Sequence, residues 1–313
     1  MDGKRLDLLV RVANWYYRDN LTQQEIAKRL FVSRPTVSRL LRACAEEGVV
    51  TIRIKDATTK REALAERLRE RFGLRRLIIV PSDENLEVTK DRVGSAAAEL
   101  MAEILHKDEL IGISWGTTVN RLLFHMEEHE YPRANVIQIL GDTQTNRESN
   151  ATRMTLSLAE ALGGDGYIMQ APMLVGSSLL KELLMQEPHM IKLAGLYDQI
   201  RIAILGFGGI SAQNHVYLTN GNKVRELYEE VKKHGAVCDL LGSFLNAEGE
   251  PVYTPLQELT FAMPLEKLRG IERVIGMAAG VKKSRQLLSA LKGGFFDTLI
   301  IDEALAESIP PEA

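Results

Sequence analysis

The 313-residue chain contains little cysteine and no long apolar run. Its two cysteines, Cys44 and Cys238, are too few to build a disulfide framework, which favours a reducing compartment. No stretch of roughly eighteen apolar residues occurs, so no transmembrane helix is predicted. The opening residues 1–7 (MDGKRLD) carry charges where a signal peptide needs an apolar segment. We therefore expect a soluble, cytoplasmic protein that has no membrane partner.

The sequence also lacks the usual signatures of metal and nucleotide sites. The six histidines show no metal-ligand spacing, so no metal site is predicted. The Walker pattern GxxxxGK[ST] is absent, and 206–209 (GFGG) lacks the full GxGxxG spacing of a dinucleotide site. We interpret these glycines as residues that let a loop pass close to a ligand or a neighbouring helix. Nucleotide-dependent switching is therefore a poor interpretation of this chain.

Charge is distributed unevenly along the chain. The net charge is −3, but residues 1–56 contain eleven Lys and Arg against seven Asp and Glu, a net +4. The remaining residues contain 28 against 35, a net −7. An acidic body with a basic first segment is expected when only that segment meets a polyanion. The length suits a first domain of about 60 residues and a second of about 250.

Residues 1–56 carry the signals of a winged helix-turn-helix domain. An apolar stripe predicts a helix over 5–18. Thr22 and Glu25 match a capping box at the start of a second helix, and Ser33 with Pro35 begins a third. The alternating residues 49–54 (VVTIRI) predict a strand or hairpin wing.

The third helix, 33–42, has the composition of a DNA recognition helix. Its outward residues include three arginines and no acid, and arginine can bind guanine bidentately while serine and threonine bond bases or phosphates. We expect residues 34–38 to meet base edges and Arg42 to meet phosphate. The candidate DNA-binding residues are Thr22, Gln23, Ser33, Arg34, Thr36, Ser38, Arg39 and Arg42. An exposed basic helix in another three-helix bundle is the alternative.

From residue 77 onward, short apolar runs alternate with stretches of helical periodicity. The runs include 110–114, 136–140 and 237–241. This pattern predicts a doubly wound α/β domain with a parallel sheet covered on both faces. Between the two domains, a helix over 60–72 is predicted within a connector at 57–76. It either packs against its copy in another subunit or is a solvated linker. The predicted domain boundaries are thus 1–56, 57–76 and 77–313.

Seven short motifs follow one another along the chain in the same order as in a known protein family. They are 21–27 (LTQQEIA), 33–41 (SRPTVSRLL), 113–118 (ISWGTT), 171–172 (AP), 235–242 (GAVCDLLG), 280–284 (GVKKS) and 291–294 (LKGG). In these residues the chain resembles the SorC family of bacterial transcriptional regulators. The resemblance implies a helix-turn-helix joined to an effector domain related to sugar-phosphate isomerases. It further implies a homodimer or homotetramer that releases or rearranges on operator DNA when a phosphorylated sugar binds, without a cofactor.

The effector-binding candidates come partly from residue chemistry and partly from this resemblance. Gly116, Thr117 and Thr118 follow a strand and open a helix, where free N–H groups and the helix dipole favour an anion. A tight turn with a threonine cap is the alternative for this loop. The resemblance assigns the effector's phosphate to the loop, a countercharge to Lys283 and the sugar hydroxyls to Asp239 and Glu258. Lys282 stands next to Lys283, so the choice of lysine for the countercharge stays open. The alternative for Lys283 is a solvated lysine at a helix start. Weaker candidates at or beyond strand ends are Gln138, Arg147 and Gln170.

Two positions depart from the family pattern. Cys238 stands where the family usually has glycine, so we expect extra side-chain volume near the pocket. Leu140 stands where some relatives that sense deoxyribose phosphate carry a lysine that forms a Schiff base with the sugar. Leucine cannot form an imine, so non-covalent effector binding is predicted.

The main rival interpretation is an enzyme, a sugar-phosphate isomerase or deaminase with a DNA-binding head. Isomerisation needs a general base, and Asp142, Asp165 and Asp239 are candidates. We expect a regulator without catalytic activity. Our mechanistic hypothesis is that a bound sugar phosphate changes how the bodies pair, and that helix 60–72 carries this change to the spacing of the DNA-binding heads.

Overall fold

The computed structural model describes residues 3–50, 60–143, 150–210 and 222–311. The chain divides into two compact units, Met1–Ala57 and Thr58–Ala313. Most of the predicted wing, 49–54, and the candidate Arg147 lie outside the described residues. Among the described helices, none combines the length and the apolar character needed to cross a membrane.

The first unit is a small helical domain. Its helices are α1 (Gly3–Ala13), which continues into a π-helical turn (Asn14–Arg18), α2 (Gln23–Leu30) and α3 (Arg34–Glu46). Val12, Ile26 and Val37, one residue from each helix, are completely buried together. The apolar stripes read from the sequence therefore meet in one core, and α2 with α3 forms the predicted helix-turn-helix.

Local side-chain chemistry fixes where these helices begin. The Glu25 amide donates to Thr22 Oγ1 at 3.3 Å, and the Thr22 amide donates to Glu25 Oε2 at 2.8 Å, so the predicted capping box is confirmed. Ser33 occupies the N-cap position of α3, but its hydroxyl bonds the Thr36 hydroxyl at 2.8 Å and makes no bond to a helix N–H. Helix α2 ends at Phe31, whose φ of 55° is left-handed.

The second unit is built on a parallel sheet. Its strands are β1 (Arg76–Val80), β2 (Leu110–Ile113), β3 (Asn135–Gln138), β4 (Gly166–Tyr167), β5 (Ile200–Leu205), β6 (Gly208–Gly209), β7 (Cys238–Leu240), β8 (Ser243–Leu245), β9 (Pro251–Val252), β10 (Arg273–Ala278) and β11 (Thr298–Asp302). Seven of them pair in parallel in the order β1-β11-β10-β5-β2-β3-β4. The other four, β6 to β9, form an antiparallel sheet.

Helices cover both faces of the parallel sheet, each face over its own apolar core. The helices are α4 (Lys60–Phe72), α5 (Leu86–Ile104), α6 (Ala151–Ala161), α7 (Ser178–Met185), α8 (Pro188–Leu196), α9 (Asn222–Lys233), α10 (Ser284–Lys292) and α11 (Glu303–Glu307). Short 3₁₀ segments lie at Val119–Glu128, Tyr197–Gln199, Pro255–Leu259, Leu265–Gly270 and Val281–Lys283. The inner strand β2 is buried along its whole length, as a doubly covered strand must be. The doubly wound α/β prediction is confirmed.

One predicted strand lies in a different sheet from the one expected. The run 237–241 supplies β7, which pairs antiparallel with β6 and β8 and is absent from the parallel sheet. Leu241 and Gly242 join β7 to β8 with φ values of 54° and 69°. Two left-handed residues form the tight turn that suits a two-residue hairpin. We expected a parallel core strand here because the run is continuously apolar. The hairpin turn was not recognised because Leu-Gly is not the usual sequence of such a turn.

The predicted connector helix matches α4 in its bounds but belongs to the second unit. Leu64 and Leu68 are buried in that unit's core together with Leu77 of β1. The Arg61 guanidinium also lies 3.5 Å from the Glu303 carboxylate. The separate connector at 57–76 is therefore corrected, because the apolar face of this helix is covered by its own domain.

Candidate DNA-binding surface and effector cavity

Helix α3 presents its polar residues outward over a buried apolar face. Arg34, Ser38, Arg39 and Arg42 are exposed, and Thr36 is half-buried. Val37 and Leu41 are buried beneath them. An exposed surface with arginines and hydroxyls on the second helix of the motif is what a major-groove reader needs. The arrangement fits the predicted recognition helix, and the roles of its individual residues stay predictions.

The remaining two DNA-binding candidates lie at the start of α2. The Thr22 hydroxyl also donates to Glu25 Oε2 at 2.7 Å, so the capping box occupies this side chain. Gln23 is half-buried at the first helical position. The sequence analysis did not identify two further cations of this unit, Arg11 and Arg29. Both guanidinium groups stack on the Trp15 ring, at 5.1 and 5.6 Å from its centroid.

In the second unit, a cavity of about 710 Å³ opens at the carboxyl ends of the parallel strands. Segments that follow β1, β2, β5 and β10 line it, and β7 of the antiparallel sheet closes one side. The lining segments are 82–84, 114–119, 206–209 and 277–283, together with Asp239, Leu241 and Asp302. Parallel α/β folds bind ligands at this edge, and the volume suits a small molecule.

The structure brings five of the effector-binding candidates into this one cavity. Gly116, Thr117, Thr118, Asp239 and Lys283 all line it. The loop of the first three runs directly into the segment Val119–Glu128, which is 3₁₀ rather than α-helical. At its start the Asn120 and Arg121 amides donate to the Gly116 and Thr118 carbonyls, at 2.8 and 3.1 Å, and the anion-binding role of the loop stays a prediction.

Lys283 is held inside the cavity by its neighbours. Its ammonium donates to the Phe207 carbonyl at 2.8 Å, whereas Lys282 beside it is exposed. Burial lowers the pKa of Lys283, and the nearby Cys238 and Asp239 partly oppose that effect. Lys282 also lines the cavity, but a desolvated cation gains more from an anionic ligand, so Lys283 stays the predicted countercharge.

Asp239 faces the cavity while its neighbours in β7 face the core. Its Oδ1 accepts the Gly242 amide at 3.0 Å, which orients the carboxylate. Cys238 is completely buried in the apolar core and does not line the cavity. Alternation along the strand turns this side chain into the core, yet its thiol lies near enough to Lys283 to influence the pKa of that lysine, so the effect of Cys238 on the pocket stays a prediction.

The sequence analysis missed a second lysine in the cavity, Lys90 of α5. Its side chain is only 14% exposed, and its ammonium lies 2.7 Å from Glu87 Oε1. The signal that could have found it is its place in the first turns of the helix after β1, since that strand ends at the same sheet edge as β2.

Comparison with known proteins gives this architecture a family. A model described as a sugar-binding domain (Sugar-bind) matches residues 56–309, and a MarR family model matches residues 10–62. The chain belongs to the Sugar-bind family. The first match covers the cavity-bearing unit and the second most of the helical unit, so the chain is a transcriptional regulator with a helix-turn-helix and a sugar-binding domain.

Named regulators resemble this chain over nearly its whole length. It is 29% identical over 312 residues to the deoxyribonucleoside regulator of Bacillus subtilis, covering 99% of each chain. It is 27% identical over 308 residues to the sorbitol operon regulator of Klebsiella pneumoniae, covering 96% of each. The crystal structure of full-length SorC from K. pneumoniae matches with a TM-score of 0.83 at 26% identity, covering 99% of each chain. The resemblance to the SorC family is confirmed.

Three candidates for effector binding in this Sugar-bind domain lie away from the cavity lining. Gln138 is completely buried, and its amide donates to the Leu140 carbonyl at 2.8 Å and accepts the Met169 amide at 3.0 Å. Gln170 is exposed, and Glu258 is exposed on the 3₁₀ segment Pro255–Leu259. Gln138 and Gln170 lie at or beyond strand ends as expected, and Glu258, assigned by the resemblance alone, lies in a 3₁₀ segment, but none of the three lines the cavity.

The candidates for a catalytic base are also dispersed. Asp142 accepts the Ala151 amide at 2.8 Å and the Thr152 hydroxyl, so it caps α6. Asp165 is exposed, 3.5 Å from the Arg133 guanidinium. Of the three candidates, Asp239 alone lines the cavity. Within the described residues, no group of three His, Cys, Asp or Glu side chains is placed to hold a metal ion.

Proposed function

We propose that this regulator binds operator DNA under the control of a phosphorylated sugar or polyol, held non-covalently in the 710 Å³ cavity. The observation that carries the proposal is the convergence of two chemistries there. The loop Gly116–Thr118 and Lys283 offer N–H groups and positive charge for a phosphate. Asp239 offers carboxylate oxygens for sugar hydroxyls.

Leu140 supports the non-covalent part of the proposal. It lines the cavity at the position where a Schiff-base lysine would stand, and its aliphatic side chain cannot attack a carbonyl. Treatment with sodium borohydride in the presence of a sugar phosphate should leave the protein mass unchanged. A mass increase on any cavity lysine, Lys283 included, would contradict non-covalent binding.

We also propose that the regulator acts as a homodimer or homotetramer without catalytic activity. Paired DNA half-sites lie about 34–36 Å apart, so two recognition helices in one assembly read a palindromic operator. The named relatives are regulators, one of them of a sorbitol operon, which supports a sugar-derived effector here. Incubation with pentose and hexose phosphates should show binding without conversion.

The proposed signal passes from the cavity to the heads through subunit pairing. Because α4 packs into the core of the second unit, we propose that it moves with that unit when effector binding changes how the bodies pair. A small change in head spacing then lowers operator affinity, since half-site spacing is fixed.

A gel-shift titration with the full chain tests the proposal. The panel holds phosphorylated sugars and polyols, each with its unphosphorylated parent as the matched control. We expect at least one phosphorylated member to shift operator affinity and to raise the melting temperature, while its parent does neither. If no member of the panel changes either quantity, the sensing half of the proposal fails and the DNA-binding half survives.

A further inference from the structure

Lys90, Glu87 and Arg121 form a charge network at the cavity wall. The Lys90 ammonium lies 2.7 Å from one oxygen of the Glu87 carboxylate, and the Arg121 guanidinium lies 2.5 Å from the other. Both hydrogen bonds lower the pKa of Glu87, so the carboxylate stays ionised. Two cations therefore share one anion, and only Lys90 of the three lines the cavity.

Lys90 and Lys283 place two positive charges on the same cavity. Lys90 lies in the helix that follows β1 and Lys283 in the 3₁₀ segment that follows β10, and the charge of Lys90 contributes to lowering the pKa of Lys283. Like charges in a partly buried space repel each other, and an anion between them removes that repulsion. Lys283 already has a neutral partner, the Phe207 carbonyl, which can be retained when an anion arrives.

We propose that Lys90 is the second cation of the anion site and that it exchanges Glu87 for the ligand's phosphate, which is then held between Lys90 and Lys283. This inference rests on the proposed function, since it presupposes a phosphorylated ligand. Arg121 keeps its bond to Glu87 during the exchange, so no carboxylate is left without a cation. The pair of lysines favours a dianion such as phosphate over a monoanion such as a sugar carboxylate.

The same exchange links the ligand to a neighbouring segment. Arg121 lies in the segment Val119–Glu128, which begins directly after the loop Gly116–Thr118. A phosphate bound to that loop and to Lys90 contacts residues next to both partners of the Glu87–Arg121 pair, the loop before Arg121 and the lysine three residues after Glu87. The packing between α5 and this segment therefore responds to occupancy of the site.

Phosphate titrations of the full-length protein test this assignment. Inorganic phosphate is the probe, formate is the monoanion for comparison, and calorimetry measures the affinity. Lys90→Met should weaken phosphate binding roughly ten- to a hundredfold, because one charge-assisted hydrogen bond is lost. Lys192→Met, which removes an exposed lysine outside the cavity, is the matched control and should bind as the wild type does. Lys90→Arg should restore most of the affinity.

Glu87→Gln separates exchange from a merely structural role. Removing the competing carboxylate frees Lys90, so this variant should bind phosphate several-fold more tightly than the wild type. If Lys90 only braces α5, both Lys90→Met and Glu87→Gln would weaken binding or leave it unchanged, and the inference falls. Wild-type affinity in Lys90→Met would overturn it while leaving the proposed function intact. Failure of the wild type to bind phosphate would overturn the inference, and the gel-shift panel of phosphorylated sugars then decides the proposed function separately.

Discussion

Phe31, in the turn of the helix-turn-helix, combines an exposed side chain with a left-handed backbone conformation. It ends α2 with a left-handed φ of 55°, and its ring is 96% exposed. A residue with a Cβ loses about 1–2 kcal/mol in this conformation, whereas glycine adopts it freely. Glycine in turn costs roughly 0.4–1 kcal/mol by making the unfolded chain more flexible. The strain is the larger effect, and the exposed ring contributes no burial energy that would be lost.

We therefore expect Phe31→Gly to stabilise the helical unit by about 0.5–1 kcal/mol. Hydrogen exchange of the α2 and α3 amides in the full chain measures this directly, because their protection reports the opening free energy of that unit. Phe31→Ala is the control, since it removes the ring and keeps the strain. Equal protection in the glycine and alanine variants would refute the argument from backbone strain.

Four further predictions follow from burial, charge and chemistry. Both Cys44 and Cys238 are completely buried, so neither should react with Ellman's reagent until the protein unfolds. Leu64→Ala should destabilise the second unit by about 2–5 kcal/mol in denaturant titrations, because α4 is part of its core. Arg39→Met should weaken operator binding and reduce the slope of log affinity against log salt by about 1 if this residue contacts phosphate. Because burial lowers the pKa of Lys283, phosphate affinity in calorimetry should fall as pH rises, and should begin to fall before ordinary lysines lose their charge.

Each of these predictions has a contradicting outcome. Fast reaction of one thiol in the native protein would show that its cover opens readily. If Leu64→Ala changes the free energy of unfolding by only a few tenths of a kcal/mol, α4 is a solvated connector and not part of the core. An unchanged salt slope with lost sequence preference would assign Arg39 to a base edge. A flat pH profile, with Lys283→Met as the uncharged control, would remove Lys283 from the anion site.

Local sequence determined the helices of the first unit. The capping box at Thr22 and Glu25 begins α2 through bonds between residues three positions apart. Ser33 and Pro35 likewise mark the start of α3. Such interactions involve only residues close together in the chain, so they can be predicted from the local sequence. The alternation of apolar runs with helical periodicity was equally sufficient for the doubly wound sheet.

Tertiary structure decided which way the side chains point. Gln138 is the last residue of β3, yet its side chain turns into the core, where its amide hydrogen-bonds the backbones of Leu140 and Met169. Cys238 faces the core because Asp239 beside it faces the cavity. Alternation alone gives two possible assignments of the faces, and only the position of β7 in the small antiparallel sheet selects one.

The sequence by itself thus determined the two domains and the helix-turn-helix, and it predicted the loop Gly116–Thr118 with Lys283 as an anion site. The tertiary structure decided that Lys90 lines the same cavity as Lys283 and that α4 belongs to the second core. The physical reason is distance along the chain. Caps and periodicity act within a few residues, whereas Lys90 and Lys283 are brought together only when β1 and β10 pair on either side of β11.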